Sequence, residues 1–139
     1  MHKGVGAIHY QRERCQGCLS CMVACAQQKS ATNDITQSRI RILMDEVSGA
    51  FEVVLCLQCS DPGCVGTCPS GALTKNGETG VIEWDDRRCV GCLLCTVGCA
   101  YAGIVYEAEV GHVIKCDICA GRPACSAACA HNALALGTV

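Results

Sequence analysis

Sixteen cysteines in a chain of 139 residues fall into four groups of four, and their spacing decides what chemistry they can do. The sharpest group is Cys89-Val-Gly-Cys92-Leu-Leu-Cys95-Thr-Val-Gly-Cys99, a C-x2-C-x2-C-x3-C run. Three thiolates within so short a run can wrap three corners of one cubane, because a tight turn points them all inward. The fourth emerges beyond a helical turn and typically serves a second cluster. A near copy holds Cys15, Cys18, Cys21 and Cys25. In Cys56, Cys59, Cys64, Cys68 and in Cys116, Cys119, Cys125, Cys129 the third thiol lies further off, on the same plan. No cysteine is left over, so the count implies four [4Fe-4S] clusters.

Two other uses of cysteine compete with this one. A structural zinc module takes two C-x2-C knuckles separated by a longer spacer, one ion per four thiolates. Here the C-x2-C-x2-C core places a third sulfur too soon for that arrangement. A secreted disulfide scaffold also carries many cysteines. However, pairing thiols three residues apart would constrain almost no loop, and residues 1–11 show no apolar signal segment. No stretch is apolar enough to cross a bilayer, so no direct membrane insertion is expected and the chain reads as soluble and cytoplasmic. A formal charge of −2 gives no sign of nucleic-acid binding.

Ligation by four cysteines leaves no open iron for a substrate. Such clusters pass single electrons, so the chain reads as a non-catalytic electron carrier. No other catalytic constellation is visible, and His2, His9, His112 and His131 are scattered. Lys115, Arg14 and Arg88 each precede a first cysteine, where their charge could raise a cluster potential or simply end a solvated strand. Tyr10, Trp84 and Tyr101 are candidates to pack on cluster faces. With aromatic content at 4%, an ordinary aromatic core cannot form, and sulfur is expected to fill the interior in place of apolar side chains.

The elements that position these thiols are short. Residues 5–14 read as a strand delivering Cys15, and the first motif ends in helical turns through about Gln28. The polar stretch 29–38 reads as a surface loop. Residues 39–45 and 50–55 alternate like strands around the turn signal Val47-Ser-Gly49, a hairpin feeding Cys56. Asp61-Pro62-Gly63 and Gly121-Arg-Pro123 loop the chain out inside the second and fourth motifs. Turns at Asn76-Gly77 and Thr79-Gly80 precede a strand over 81–85, a second hairpin turns near Gly111, and 132–136 form an edge strand.

An internal repeat links the motifs. Arg14-Cys15-Gln16-Gly17-Cys18 matches Arg88-Cys89-Val90-Gly91-Cys92, and the looped second motif matches the looped fourth. A small and an aliphatic residue recur at the fourth and fifth places after a group's last cysteine: Ala72-Leu73, Gly103-Ile104 and Ala133-Leu134. The first motif breaks this rule at Lys29-Ser30. Duplication of a two-motif unit accounts for the pattern.

In this order the four motifs resemble the four-cluster ferredoxin-like subunits of multi-subunit oxidoreductases. Those subunits serve molybdenum- and tungsten-pterin enzymes, hydrogenases and carbon monoxide dehydrogenase, and the likeness runs from Arg14 to Leu136. It implies an α+β fold of two ferredoxin-like 2[4Fe-4S] modules, one inserted into the other: 51–107 within a split module of 1–50 and 108–139. By position it also implies how ligands are shared. Cys56, Cys59, Cys64 and Cys99 hold one cluster, and Cys89, Cys92, Cys95 and Cys68 the next. In the split half, Cys15, Cys18, Cys21 and Cys129 hold one, and Cys116, Cys119, Cys125 and Cys25 the other. Only Cys68 is followed by proline, where the family pattern has it more often.

The function that follows is an electron-transfer subunit between a catalytic subunit and a second redox protein or flavin subunit. The favoured partner is a tungsten or molybdenum enzyme of the aldehyde oxidoreductase type. Hydrogenase, formate dehydrogenase and carbon monoxide dehydrogenase are alternatives. A free polyferredoxin shuttle is the competing reading; a mean hydropathy of +0.28 with little net charge favours the subunit. Self-association, joining ladders end to end, is a further expectation from the repeat.

Overall fold

Each cysteine run bends into a short helix and then releases the chain into a strand, and this unit repeats four times. The computed structural model describes residues 7–137. In chain order the strands are β1 (Ile8–Tyr10), β2 (Arg41–Met44), β3 (Phe51–Val54), β4 (Leu73–Lys75), β5 (Ile82–Trp84), β6 (Ile104–Glu107), β7 (His112–Lys115) and β8 (Leu134–Leu136). The helices are α1 (Ser20–Ser30), α2 (Gly63–Thr67), α3 (Leu94–Gly98) and α4 (Ala124–Ala128). The architecture is α+β and ferredoxin-like: antiparallel pairs β2–β3, β4–β5, β6–β7 and, joining the two ends of the chain, β1–β8.

Local chemistry explains the turns. Asp45, Asn76 and Glu107 each start a hairpin loop by accepting two residues ahead, from the N–H of Val47, Glu78 and Glu109. Their carbonyls then accept from Gly49, Gly80 and Gly111, at 2.7, 2.8 and 2.8 Å. Side chains that bond their own backbone two residues on are turn formers for this reason. Proline precedes α2 and α4: Pro62 and Pro123 are extended, and a ring lacking N–H gives up nothing at a helix start.

Two hydrophobic clusters form the interior. One gathers Ile8, Met22, Ile40, Leu55, Ile118 and Leu134 with Cys21, Cys25 and Cys125. The other gathers Leu73, Ile82, Ile104 and Val113 with Cys64. Helix α1 packs on α4 and α2 on α3, so each cluster has its own helix pair. The first cluster draws on both ends of the chain and also on Val81, which lies between Leu73 and Ile82 of the second. The hairpin β2–β3 packs through Ile42 and Val53 on the first cluster, so the expected boundary at 50/51 falls inside that hairpin.

Three expectations need correction. Sulfur does not fill the interior alone, because Ile40, Leu73, Ile82 and Ile118 are at most 2% exposed and sit beside it. The strand expected over 5–14 shrinks to Ile8–Tyr10, because Arg12–Arg14 close a 3-10 turn; residues 5 and 6, like His2, lie outside the described residues. The surface loop of 29–38 is partly helical. Helix α1 continues to Ser30, and Asp34 caps a 3-10 turn at Ile35–Gln37 by accepting from Thr36 N at 3.0 Å.

Candidate metal centre

The ligand loops are built on backbone that most side chains avoid. In the first and third motifs Gly17 and Gly91 take φ of 69° and 74°, and the leucine after the second cysteine is also left-handed, Leu19 and Leu93 both at 64°. Glycine meets this demand without strain. In the second and fourth motifs the glycine position is held by Gln58 (φ 50°) and Ile118 (φ 64°), each 0% exposed. Tertiary packing there holds a conformation that costs a non-glycine residue about 1–2 kcal/mol.

The folded chain gathers sulfurs from distant motifs. Cys68 joins Cys89, Cys92 and Cys95 around one cavity. Cys25 joins Cys116, Cys119 and Cys125 around a second. Cys129 joins Cys15, Cys18 and Cys21 around a third. Mutual electrostatics follow the same grouping. Burial pushes the Cys21 thiol up to about 11, and charge on Cys15, Cys129 and Cys18 adds to it. Burial pushes Cys125 up to about 12, with Cys116, Cys25 and Cys119 adding. Burial also raises Cys59 and Cys64, and Cys56 and Cys99 raise both further. For Cys95 the sequence-distant contributor is Cys68. Across groups, Cys116, raised by burial to about 12, feels Cys56.

Backbone donors are aimed at the sulfurs. Gly103 N donates to Cys99 Sγ at 3.3 Å and Ala133 N to Cys129 Sγ at 3.4 Å, each four residues beyond its cysteine. A Cβ on Gly103 would stand 2.7 Å from Cys56 Cα, so only glycine permits this approach. In the first motif the same bond comes from Arg39 N to Cys25 Sγ at 3.1 Å. Residues 29–38 are thus inserted ahead of the equivalent small-aliphatic pair, and the aliphatic place is taken by buried Ile40. Cys68 is held down to about 7: burial resists ionisation, but the Ser70 side chain and the backbone N–H groups of Ser70, Ala72 and Leu73 outweigh it.

The donor set suits iron–sulfur clusters: sulfur alone, ringed around enclosed space, with N–H groups directed at it. All sixteen thiols are free of disulfides. Among the described residues no three His, Cys, Asp or Glu side chains converge as ligands of a single ion. Cys18 and Cys92 are the exposed cysteines, one at the cavity that Cys129 joins and one at the cavity that Cys68 joins.

Trp84 stacks on His112 at 4.8 Å between ring centroids, and both line the cavity of Cys68 and Cys89. Tyr10 lines the cavity of Cys15 and Cys129 and donates to the Phe51 carbonyl at 2.6 Å. Tyr101, expected on a cluster face, is 56% exposed and lines none of these three cavities. Arg88 lies 3.9 Å from Asp85 at the surface. Buried Gln58 was not legible as a site residue; its only signal was its alignment with Gly17 and Gly91.

Known proteins share this pattern. The family described as 4Fe-4S dicluster domain matches residues 47–139. The NADH-dependent phenylglyoxylate dehydrogenase subunit beta of Aromatoleum evansii is 54% identical over 96% of this chain, which spans 30% of that protein's length. A probable anaerobic dimethyl sulfoxide reductase chain of Escherichia coli strain K12 is 33% identical over 91% of this chain and 70% of its own. Among solved structures, a chain of the active site complex BamBC of benzoyl coenzyme A reductase superposes with a TM-score of 0.56, at 21% identity, over 96% of this chain and 78% of that one. That likeness concerns the fold.

Proposed function

From the premise that this chain belongs to the 4Fe-4S dicluster domain family, we propose that it is the electron-carrying part of an oxidoreductase complex. Its ligand sets are the four interleaved groups, and its modules are 1–50 with 108–139 around 51–107. The single observation that carries this reading is the gathering of a distant fourth cysteine to three of the four local trios: Cys68, Cys25 and Cys129 at three cavities. Bound there, [4Fe-4S] clusters carry one electron at a time.

The residues of the chain order the ladder. Helix α4 carries Cys125 and leads into Cys129, tying an inner group to an outer one, and α2 does the same through Cys64 and Cys68. Cys56 and Cys116 face each other across the middle. Exposed Cys18 and Cys92 mark the two ends where electrons enter and leave. Backbone N–H groups on Cys25, Cys99 and Cys129 spread the negative charge of the sulfurs.

The catalytic partner docks at the Cys92 end, where Val90, Leu94 and Val97 are 69%, 46% and 83% exposed around the ligand loop. Contiguous exposed apolar surface of this kind marks a protein interface. Phenylglyoxylate is an aromatic 2-oxo acid, and the name of the 54% identical relative supports a partner that oxidises this class. A nicotinamide moves electrons in pairs, so a flavin-type unit stands between it and a one-electron ladder. A molybdenum or tungsten partner is the second reading, supported by the dimethyl sulfoxide reductase relative. Among the described residues no helix is long and apolar enough to cross a membrane, and we place the carrier in the reducing cytoplasm, where thiols stay free for assembly.

Anaerobic purification with metal analysis tests the core of the reading. About sixteen irons per chain and a reducible band near 400 nm are expected; zinc in place of iron would refute it. Mixing the copurified complex with phenylglyoxylate should bleach that band, whereas bleaching only by reduced substrates of a pterin enzyme would favour the second partner.

A further inference from the structure

Lys115 ends β7 and leads into the fourth cysteine run, and it is buried, at 8% exposed. An ammonium out of water is costly unless negative groups face it. Among the described residues no carboxylate pairs with Lys115 or with Lys75. Lys115 Nζ donates to the carbonyls of Ile82 and Cys116, both at 2.5 Å. Fully buried Gln58 donates to the same Cys116 carbonyl at 2.8 Å and accepts from Ile82 N at 2.7 Å. Lys75 Nζ donates to the Gln58 carbonyl at 3.1 Å and to that of Gly80 at 2.7 Å. Two cations and one amide therefore lock the Cys56–Cys59 loop against Cys116, and every partner in the network is neutral.

The negative groups that remain to answer these cations are cysteine sulfurs. Cys64 and Cys116 are raised chiefly by burial, and Lys115 opposes the rise in both. Lys75 acts the same way on Cys59. Lys115 thus faces sulfurs of both inner groups, and Lys75 faces one. Among the described residues the hydrogen bonds of both lysines reach the inner-group loops, at Gln58 and Cys116, and no loop of an outer group.

We propose that Lys115, with Lys75 beside it, is a built-in positive seam that raises the reduction potentials of the two inner clusters and leaves the two outer ones alone. This inference rests on the ligand sets proposed above. Reduction adds one electron and hence one negative charge to a cluster, so a fixed cation nearby stabilises the reduced form. The attraction is strong where water is excluded and falls off with distance. Gln58 contributes geometry and no charge: it holds the two inner loops at a set separation. The middle of the ladder accordingly accepts an electron more readily than its ligands alone would dictate.

The test is redox titration of the iron-loaded full chain, followed by electron paramagnetic resonance. Lys115→Met keeps the side-chain length and removes the charge. Two of the four midpoints should fall by at least a tenfold change in the oxidised-to-reduced ratio, ~59 mV for a one-electron couple, with the other two unmoved. Lys115→Arg should restore both, a rescue that a merely structural lysine would not give through charge. Lys75→Met should lower one of the same two. A K115M protein in which all four midpoints shift together, or none does, overturns the proposal. Should K115M lose iron, the K75M variant decides, and no shift there overturns it equally. Fewer than four [4Fe-4S] signals in the unmodified protein would strike at the ligand sets instead, so the two failures are distinguishable.

Discussion

The first and third motifs carry the same ligand spacing and nearly the same backbone, yet they present different faces to the outside. Leu19 and Leu93 share a φ of 64°, and both stand at the start of a helix bearing two ligands. Around Cys15–Cys25 the residues matching Val90 and Leu94 are Gln16 and Ser20, and Cys21, Met22, Cys25 and Ala26 are buried. Around Cys89–Cys99 no residue of the helix is buried, and Val97 is almost fully exposed. The insertion of 29–38 makes the difference. It extends α1, covers that helix with the Ile35–Gln37 turn, and ties it to the fourth motif through Lys29 and Asp117 at 2.5 Å. The spacing of the cysteines and the backbone of their loop are thus local properties that both motifs share. The surface around them differs: polar and partly covered beside Cys15–Cys25, apolar and exposed beside Cys89–Cys99.

The largest test of this comparison removes one ligand from each end. Cys18→Ser and Cys92→Ser should each lose one cluster, about four irons, as measured by iron content, and should leave the other end's signals intact. Loss of all iron in either variant would show that the two ends are not independent. Next in size is Ile40→Ala. If Ile40 has taken the place that Ile104 and Leu134 hold elsewhere, each truncation to alanine should cost ~2–5 kcal/mol, read by denaturation of the loaded protein. A cost near zero at Ile40 alone would break the equivalence.

The third test sharpens the contrast in surface. Val97→Asp should abolish copurification with the catalytic subunit while changing stability by less than ~0.5 kcal/mol, and Gln16→Asp should alter neither. Equal loss in both variants would remove the distinction between ends. The smallest effect concerns Asp117. Burial resists its ionisation, but the Lys29 ammonium and the Cys119 N–H outweigh this and hold its carboxyl below the usual range. A carboxyl depressed in the folded state stabilises fully above its unfolded value of ~3.9 and loses that contribution as pH falls through the folded value. Asp117→Asn should therefore make iron release less sensitive to acid, by under ~1 kcal/mol for a half-exposed pair. Unchanged acid profiles would show that the tie is inert.

Much of this was legible from residue types alone, where the physics is local. The cysteine runs, the β2–β3 and β6–β7 hairpins and the small-aliphatic pairs all depend on neighbours a few residues apart. The pairing of β1 with β8 was not legible, because Ile8 and Leu136 sit at opposite ends of the chain and three-residue strands carry no signal of their partner. Nor was the helical content of 29–38, whose polar residues look the same in a loop and in a capped turn. Tyr101 read as a packing residue because residue type alone does not give exposure, which is 56%.

What the amino-acid order determined by itself is the count of sulfur donors and their local trios, since a chelating loop closes over a handful of bonds. Only tertiary contact brought Cys68, Cys25 and Cys129 to the cavities of other motifs, put Gln58 and Ile118 in a glycine's conformation, and buried Lys115 between two loops. Those outcomes depend on surfaces meeting across dozens of residues, and no short-range pattern encodes such a meeting.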